Sequence, residues 1–297
     1  MATVDVIANR SSGTEALGKA YFETDTNSFI VYNGSGWVQL QSDGVGAAAF
    51  SNEYSLEFDG ANHYIDAGSS PSALTVEGMS VWFKSDLAYG SGVQSFLIGL
   101  GGSDQGIAFG GDFFGPVPNE VITVCNNNHL WSYAGSGLSL TADTWHHLGV
   151  RWESSNSSTN SGNAGYDIYL DGTKVGNTFG TYSSGIGSKI TTQRLTAGAR
   201  NRNGSVSFQF NGKIDDFAIF TSSVSENDLL AMYNSGSGPI DLESYTPGLW
   251  WRMGDDGNDS PTNGGSVSGI QDSSGNGNHA TQSTASYQPT FSTDVPA

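Results

Sequence analysis

The chain has 297 residues, with 11 Lys or Arg against 29 Asp or Glu, and its formal net charge is −18. Such a charge repels phosphate backbones and anionic lipid surfaces, so we expect neither nucleic acid nor a membrane as a partner. No stretch approaches the roughly 18 apolar residues of a membrane-spanning helix, and the N-terminus lacks the apolar run of a signal peptide. The 41 glycines and 11% aromatic residues are typical of many short strands and tight turns.

The N-terminal segment, residues 1–44, contains two apolar stretches at 19–25 and 28–40, with a further turn signal at Asn33-Gly34. This pattern predicts a small three-stranded β-meander. Its predicted core consists of Tyr21, Phe22, Phe29, Val31 and Trp37. That set is too small for independent stability. We therefore expect this segment to serve attachment or trimerisation.

Residues 50–236 show the two-residue apolar period of strands. The predicted strands lie near residues 55–59, 63–67, 76–84, 94–100, 106–109, 121–125, 145–152, 166–175, 194–199, 207–210 and 213–220. The dipeptide Asp171-Gly172 indicates a two-residue type I′ hairpin turn. The expected fold class is all-β: an antiparallel β-sandwich jelly roll with the small N-terminal meander and one short helix.

Four side chains are expected to be buried in this sandwich. Trp82, Trp145 and Trp152 lie on predicted strands, and we expect them to point inward and join the two sheets. Cys125, the single cysteine, lies in an apolar run and is expected to be buried. With one cysteine, the chain cannot form an intramolecular disulfide.

The short helix is predicted after the last of these strands. Ser225 is a suitable N-cap, and Asp228, three residues later, can complete a capping box. The predicted apolar stripe consists of Leu229, Leu230 and Tyr233, and it stops at Asn234. Such a short helix is not stable alone, so we expect it to pack on the sandwich.

Residues 237–297 form a C-terminal extension. Its apolar run at 247–254 predicts one strand, and the polar stretch at 271–281 is rich in turn residues. An isolated edge strand would invite aggregation, so the strand is expected to complete the sandwich or to pair with a neighbouring subunit.

Five segments, in this order, carry a family resemblance. They are Ser55-Leu-Glu-Phe-Asp-Gly-Ala-Asn-His-Tyr-Ile-Asp, Leu74-Thr-Val-Glu-Gly-Met-Ser-Val-Trp-Phe-Lys, Thr144-Trp-His-His-Leu-Gly-Val, Tyr169-Leu-Asp-Gly and Gly212-Lys-Ile-Asp-Asp-Phe-Ala-Ile-Phe. Together they resemble the laminin-G-like family of concanavalin-A-like jelly rolls. The stretch Trp250-Trp-Arg-Met-Gly-Asp also resembles the family's opening strand, although here it follows the helix. It is either a permuted strand or the start of a truncated second module.

A second resemblance concerns residues 13–37, which are similar to short β segments of bacteriophage tail-fibre and head-decoration proteins. A laminin-G-like module without a signal peptide fits a virion protein that lysis releases. The chain is therefore expected to be a virion structural protein, a tail fibre or a capsid decoration. We expect a homo-oligomer, as a trimer, in contact with other virion proteins. The alternatives are a carbohydrate-binding adhesin that recognises a host-surface glycan and, third, a glycan-degrading enzyme.

Asp59, Asn62 and Asp66 are the candidate metal ligands. Oxygen ligands on one turn and the adjacent strand can converge on a hard cation such as Ca²⁺. The laminin-G-like resemblance also implies Ca²⁺ near loops of this kind. The same residue types are ordinary turn formers that bond to their own backbone, so both interpretations stay open. The pair Asp215-Asp216 is interpreted as a turn with exposed charge at a strand start.

No catalytic residue is assigned, and we expect the protein not to be an enzyme. His146 and His147 are adjacent on a predicted strand, so they point to opposite faces and cannot share one site. No pair of carboxylates has the pattern expected for glycoside hydrolysis.

Carbohydrate binding is the remaining site chemistry. Exposed aromatic rings on loops or strand edges can stack on sugars, and the candidates are Trp131, Tyr133 and Tyr182. In an oligomer, such rings alternatively face another subunit.

Overall fold

The structure, a computed structural model, describes residues 50–68, 73–87, 94–102, 104–109, 122–126, 140–154, 165–175 and 188–297. It also gives the backbone of strands at 20–23, 28–32, 37–40, 131–134 and 177–178. The chain divides into two compact units, Met1–Ser51 and Asn52–Ala297. Among the described residues, no helix is long and apolar enough to cross a membrane.

The first unit contains three described strands, β1 (Ala20–Glu23), β2 (Ser28–Tyr32) and β3 (Trp37–Leu40). β2 pairs antiparallel with both β1 and β3, which gives the three-stranded meander that the sequence predicts. The side chains of the five predicted core residues lie outside the described part of the chain.

The second unit contains the remaining strands. In chain order they are β4 (Ser55–Asp59), β5 (Ile65–Asp66), β6 (Gly78–Ser85), β7 (Ser95–Gly101), β8 (Gln105–Phe109), β9 (Ile122–Cys125), β10 (Trp131–Ala134), β11 (Trp145–Glu153), β12 (Gly165–Leu170), β13 (Thr173–Val175), β14 (Asn177–Thr178), β15 (Thr196–Ala197), β16 (Arg200–Arg202), β17 (Ser205–Ser207), β18 (Asn211–Phe220), β19 (Leu249–Trp251), β20 (Gly269–Ile270), β21 (Ala280–Thr281) and β22 (Thr290–Ser292).

Within the described residues, these strands form two large antiparallel sheets and one hairpin. The larger sheet has nine strands in the order β14-β10-β9-β8-β7-β15-β5-β21-β20. The other has eight, in the order β13-β12-β11-β6-β18-β4-β22, with β19 also paired to β18. β16 and β17 form the separate hairpin. The two sheets make the predicted all-β sandwich.

The core lies between the two sheets and follows the alternation of each strand. On β6, Met79, Val81 and Phe83 are fully buried in it, while the residues between them face outward. Burying one such side chain contributes about 1.5–3 kcal/mol, so this core is a main source of the stability of the sandwich. Its largest fully buried members include Phe58, Phe83, Phe109, Phe210, Phe217, Tyr166 and Trp251.

Two of the three tryptophans expected to join the sheets lie elsewhere. Trp82 alternates with Val81 and Phe83, so it faces outward, where it stacks on Tyr233 with ring centroids 6.1 Å apart. Trp145 pairs with Lys84 on the same outer face. Only Trp152 packs against the core, as predicted. The expectation was wrong for Trp82 and Trp145. β6 and β11 each have an outer face that another segment covers, so an aromatic side chain can lie there instead of in the core.

The predicted hairpin and helix are both present. Asp171 and Gly172 have φ values of 48° and 71° between β12 and β13, as a type I′ turn requires. Helix α1 spans Glu226–Tyr233 and begins with the capping box of Ser225 and Asp228. The predicted apolar stripe needs one correction. Leu230 is 51% exposed, and Met232 instead joins Leu229 in the buried face.

The C-terminal extension belongs to the sandwich. β18 pairs with β4 through Asn211 to Ile214 and with β19 through Phe217 to Ile219. β4 and β19 therefore lie end to end along the same edge of β18. β22 then pairs with β4 on its other edge. The strand that resembles the family's opening strand is thus paired within this sandwich, as a permuted strand would be.

Candidate functional site

The outward face of the nine-stranded sheet carries a polar network centred on Asp66. Ile65 is fully buried in the core, so Asp66, next to it on β5, faces away from the core. Its Oδ1 accepts the N–H of Gly68 at 2.7 Å, and its Oδ2 accepts a bond from Nδ2 of Asn201 at 3.2 Å. Nδ2 of Asn201 also donates to Oγ1 of Thr196 at 3.2 Å. One side chain of the β16–β17 hairpin is thereby tied to β5 and β15.

This network alters the acidity of its carboxyl group. Burial raises the pKa of Asp66 above its ordinary value, while the N–H of Gly68 and the positive charge of Arg194 act in the opposite direction. The net rise shows that removal from water outweighs the stabilising contacts.

Arg200 fixes the hairpin a second time. Its Nη1 donates to Oδ1 of the buried Asp104 at 2.8 Å, and its Nε and Nη2 donate to Oγ of Ser207 at 3.1 and 2.9 Å. Its guanidinium also lies 4.4 Å from the centroid of the Phe208 ring. The ion pair therefore ties the hairpin to the turn between β7 and β8, while the bonds to Ser207 join its two strands.

A third polar group lies beside β8. Nε2 of Gln105 donates to Oδ1 of Asn126 at 2.8 Å, and Nδ2 of Asn126 donates to the carbonyl of Ser188 at 3.1 Å. Both amide side chains are 4% exposed, and Oε1 of Gln105 has no hydrogen-bond partner in the part of the chain that the structure describes. Because these groups are covered, they join loops to the sheet and do not face solvent. The exposed part of the hairpin is its tip, residues 202–205.

Asp59, the first candidate metal ligand, closes a turn. Its Oδ1 accepts the N–H groups of Ala61, Asn62 and His63 at 2.9, 3.0 and 2.9 Å. Burial would raise the pKa of Asp59, but these three hydrogen bonds outweigh it and lower the pKa. This is the backbone-bonding role that Asp commonly has in turns.

Three oxygens of the candidate ligands already accept hydrogen bonds. These are Oδ1 of Asp59 and both carboxylate oxygens of Asp66, whereas Oδ1 of Asn62 is buried and has no hydrogen-bond partner among the described residues. Within the described ranges, no group of three or more His, Cys, Asp or Glu is arranged to hold a metal ion. The arrangement fits a turn and a hairpin anchor better than a cation. Ca²⁺ at Asp59, Asn62 and Asp66 stays a prediction, and we assign no role to it.

The structure describes the three candidate sugar-binding aromatic residues only in part. The backbone of β10 places Trp131 opposite Cys125, and Tyr133 opposite Thr123. The side chains of both, and the whole of Tyr182, lie outside the described residues. Cys125 itself is buried, as expected.

Ser80 and His147 form a close pair of residue types that occur in nucleophilic catalysis. Oγ of Ser80 lies 2.9 Å from Nε2 of His147. Burial lowers the pKa of His147 to about 3, so its imidazole is neutral. Asp171 contacts Nδ1 of His146 at 2.7 Å and the N–H of His147 at 2.8 Å, so it does not bond to the His147 ring. The ring packs against Tyr233 of α1, which makes this a closed packing cluster and not an open triad.

The pair Asp215-Asp216 is buried, so its interpretation as exposed charge at a strand start was wrong. The two residues lie inside β18, at a bulge in its pairing with β6, and are 0% and 3% exposed. Oδ2 of Asp215 accepts from Nδ2 of Asn52 at 3.1 Å, and Oδ1 of Asp216 accepts from the indole N–H of Trp250 at 2.6 Å. At this bulge, the strand paired with that edge of β18 changes from β4 to β19.

A third carboxyl group, Asp255, completes this cluster. Its Oδ2 accepts the N–H groups of Glu53 and Tyr54 at 3.0 and 3.2 Å, which connects the segment after β19 to the start of β4. Burial raises the pKa of Asp216 to about 7, and burial together with the charge of Asp216 raises that of Asp215 well above its ordinary value. The cluster joins the two strands that lie end to end.

A family match supports the fold described above. Residues 59–229 match the laminin G-type family described as the concanavalin A-like lectin/glucanases superfamily. The chain belongs to this family. No curated protein sequence matches it.

The chain is also similar to solved structures. One is a candidate carbohydrate-binding protein from Bacteroides ovatus ATCC 8483, with a TM-score of 0.55 and 15% identity over 83% of this chain and 62% of that one. The match therefore spans less than two thirds of that protein. Weaker likenesses include a heptameric SAP-like pentraxin from Limulus polyphemus, with a TM-score of 0.44 and 10% identity over 63% of this chain and 84% of that one. Another is the CBM40 of a Ruminococcus gnavus IT-sialidase, with a TM-score of 0.41 and 14% identity over 60% of this chain and 95% of that one.

Proposed function

We propose that the sandwich is a carbohydrate-binding domain. The observation that supports this function is its fold. The sandwich belongs to the concanavalin A-like lectin/glucanases superfamily. It superposes over 83% of the chain on a candidate carbohydrate-binding protein. This support favours a glycan-binding adhesin over a purely structural virion role.

We also propose that the domain binds glycans without cleaving them. Glycoside hydrolysis requires two carboxyl groups that reach opposite sides of a glycosidic bond. Asp215 and Asp216 are the adjacent carboxyls with strongly raised pKa values, and both are buried in the sheet. The Ser80–His147 pair is likewise closed by packing. Neither group faces a surface on which a glycan could lie.

A glycan array probed with the full chain tests the proposal. We expect retention on at least one class of glycan, a dissociation constant measurable by calorimetry, and no release of reducing ends on prolonged incubation. Retention on no neutral or anionic glycan would contradict carbohydrate binding. Release of reducing ends would contradict binding without cleavage.

A second proposal concerns the N-terminal unit. Residues 1–51 form a compact unit of their own, with a meander of three described strands. This supports a role as an attachment element that displays the sandwich on a larger particle, such as a phage tail fibre or a decorated capsid. Light scattering of the full chain should then give the mass of a trimer, and a chain starting at Asn52 should give a monomer. A monomer in both measurements would contradict this role.

A further inference from the structure

Tyr64 and Tyr287 lie together at one end of the sandwich. The segment 60–64 passes from β4 in one sheet to β5 in the other, and the segment 282–289 passes from β21 to β22. β22 pairs antiparallel with β4, with Thr290 opposite Glu57, so both crossings lie at the same end. We propose that these two tyrosines form a stacking platform for the pyranose ring of a neutral glycan. This inference rests on the proposed carbohydrate-binding function.

The two rings lie against each other. Their centroids are 6.0 Å apart, and their planes are inclined by 36°. Tyr287 is 40% exposed, and no other aromatic residue whose side chain the structure describes is more than about a third exposed. Tyr64 is partly exposed beside it. Among the aromatic side chains that the structure describes, this pair is therefore the most open to solvent.

Hydrogen bonds fix the main chain at both tyrosines. The N–H of Tyr64 donates to the carbonyl of Tyr287 at 3.1 Å, and Nε2 of the buried Gln282 donates to the carbonyl of Tyr64 at 3.2 Å. Nε2 of Gln288 donates to the carbonyl of Gln282 at 2.7 Å. Because both crossings are fixed before a ligand arrives, binding need not order the backbone, which is a main cost of recognition by loops.

Tyrosine suits contact with a sugar. The ring face carries partial negative charge, which attracts the partly positive C–H groups on one face of a pyranose. The side chain has few rotatable bonds, so a large contact area forms at little conformational cost, and its hydroxyl can bond to sugar hydroxyls.

The charges near the platform indicate a neutral ligand. Asp59 lies in the same crossing as Tyr64, and Asp66 follows Tyr64 by two residues on the side of β5 away from the core. The whole chain carries a formal charge of −18. A sialylated or sulfated glycan would be repelled on approach, whereas a neutral hexose would not.

Substitutions in the full chain test the platform, with a neutral oligosaccharide retained on the array as the ligand. We expect Tyr287→Ala and Tyr64→Ala each to weaken binding at least tenfold by calorimetry. Tyr287→Phe, which keeps the ring, should stay within about threefold of the unmodified chain. Tyr245→Ala, the same change in a tyrosine of a separate 3₁₀ turn, should leave affinity unchanged. Melting temperatures of all variants show whether the fold is retained.

The outcomes separate the platform from the general function. Undiminished binding by folded Tyr287→Ala and Tyr64→Ala would overturn the platform while carbohydrate binding stands. A preference for anionic glycans would overturn the ligand class proposed here. Retention of no glycan by the unmodified chain would overturn both proposals.

Discussion

The carboxyl group of Asp216 accepts a hydrogen bond from the indole N–H of Trp250 at 2.6 Å. Asp216 lies in the bulge of β18, with a φ of 46°, and Trp250 lies on β19, which starts its pairing with β18 just beyond that bulge. Both side chains are buried. The bond therefore closes the point at which one long strand changes its partner.

The stability of the sandwich should fall as pH rises through neutrality. The pKa of Asp216 is about 7 in the folded chain against an ordinary 3.8, so the folded state holds a proton that the unfolded state releases between these values. The resulting stabilisation is complete below pH 3.8 and is lost as pH rises through 7. Chemical denaturation at pH 5 and pH 8 should differ by on the order of 2 kcal/mol, since each pKa unit corresponds to about 1.4 kcal/mol.

The matched variants for this measurement are Asp216→Asn and Glu243→Gln. The first keeps an acceptor for Trp250 but cannot ionise, so it should reduce the pH dependence. The second removes an exposed carboxyl and should leave the dependence unchanged. If the free energy of unfolding of Asp216→Asn kept the original pH dependence, another group would be responsible for it.

Loss of the Asp59 carboxylate should destabilise the first crossing. Asp59→Ala leaves the N–H groups of Ala61, Asn62 and His63 without their shared acceptor, which should lower the free energy of unfolding by about 1–2 kcal/mol. Denaturation in chelator and in millimolar Ca²⁺ should give the same loss. A Ca²⁺-dependent stability that disappears in Asp59→Ala would instead show that this carboxylate binds the ion.

The helix cap should be worth a measurable part of the stability. Oγ of Ser225 accepts the N–H of Asp228 at 3.1 Å, and Oδ2 of Asp228 accepts the N–H of Ser225 at 2.8 Å. Ser225→Ala should lower the free energy of unfolding by about 1 kcal/mol. Ser225→Asn, which retains a capping oxygen, is the control, and an equal loss in both variants would contradict the capping role.

Asp294 should hold the C-terminal tail against the outer face of the smaller sheet. Its Oδ2 lies 2.8 Å from Nζ of Lys84 and 3.5 Å from Nζ of Lys213, and its Oδ1 accepts from Nε1 of Trp145 at 3.0 Å. Asp294→Ala should cost about 1 kcal/mol, because its side chain is 41% exposed and solvent weakens the ion pairs.

Removing Asp294 should also make the C-terminus more accessible. Carboxypeptidase digestion of Asp294→Ala should proceed faster than that of the unmodified chain. Asp241→Ala, a change in an exposed carboxyl elsewhere, serves as the control. Equal digestion of all three chains would contradict the contact between the tail and the sheet.

Local signals predicted much of this fold. The alternation of apolar residues gave the strands of the sandwich, and Asp171-Gly172 and Ser225 marked a turn and a helix start that the structure contains. The bulge in β18 is also indicated by the sequence, in a pattern that the interpretation of Asp215-Asp216 did not take into account. Core residues Ile214 and Phe217 are three apart, although one face of a regular strand repeats every two residues.

Relationships between distant segments could not be predicted in the same way. Nothing near Tyr64 in the sequence indicates that Tyr287 lies against it, because that contact depends on how β22 pairs with β4. Likewise, the burial of Trp82 on the outer face of β6 depends on the packing of Tyr233 of α1 against it. Periodicity shows which residues share a face, but the segment that covers that face is fixed only by tertiary structure.

The end-to-end arrangement of β4 and β19 has a consequence for synthesis of the chain. β4 emerges from the ribosome well before its partner β22 and its collinear neighbour β19. One edge of β4 therefore stays unpaired until β22 has been made, and the part of β18 beyond its bulge stays unpaired on one edge until β19 has been made. Pairing over such separations is slow, so a nascent sandwich of this kind depends on these two strands for protection of its edges against aggregation.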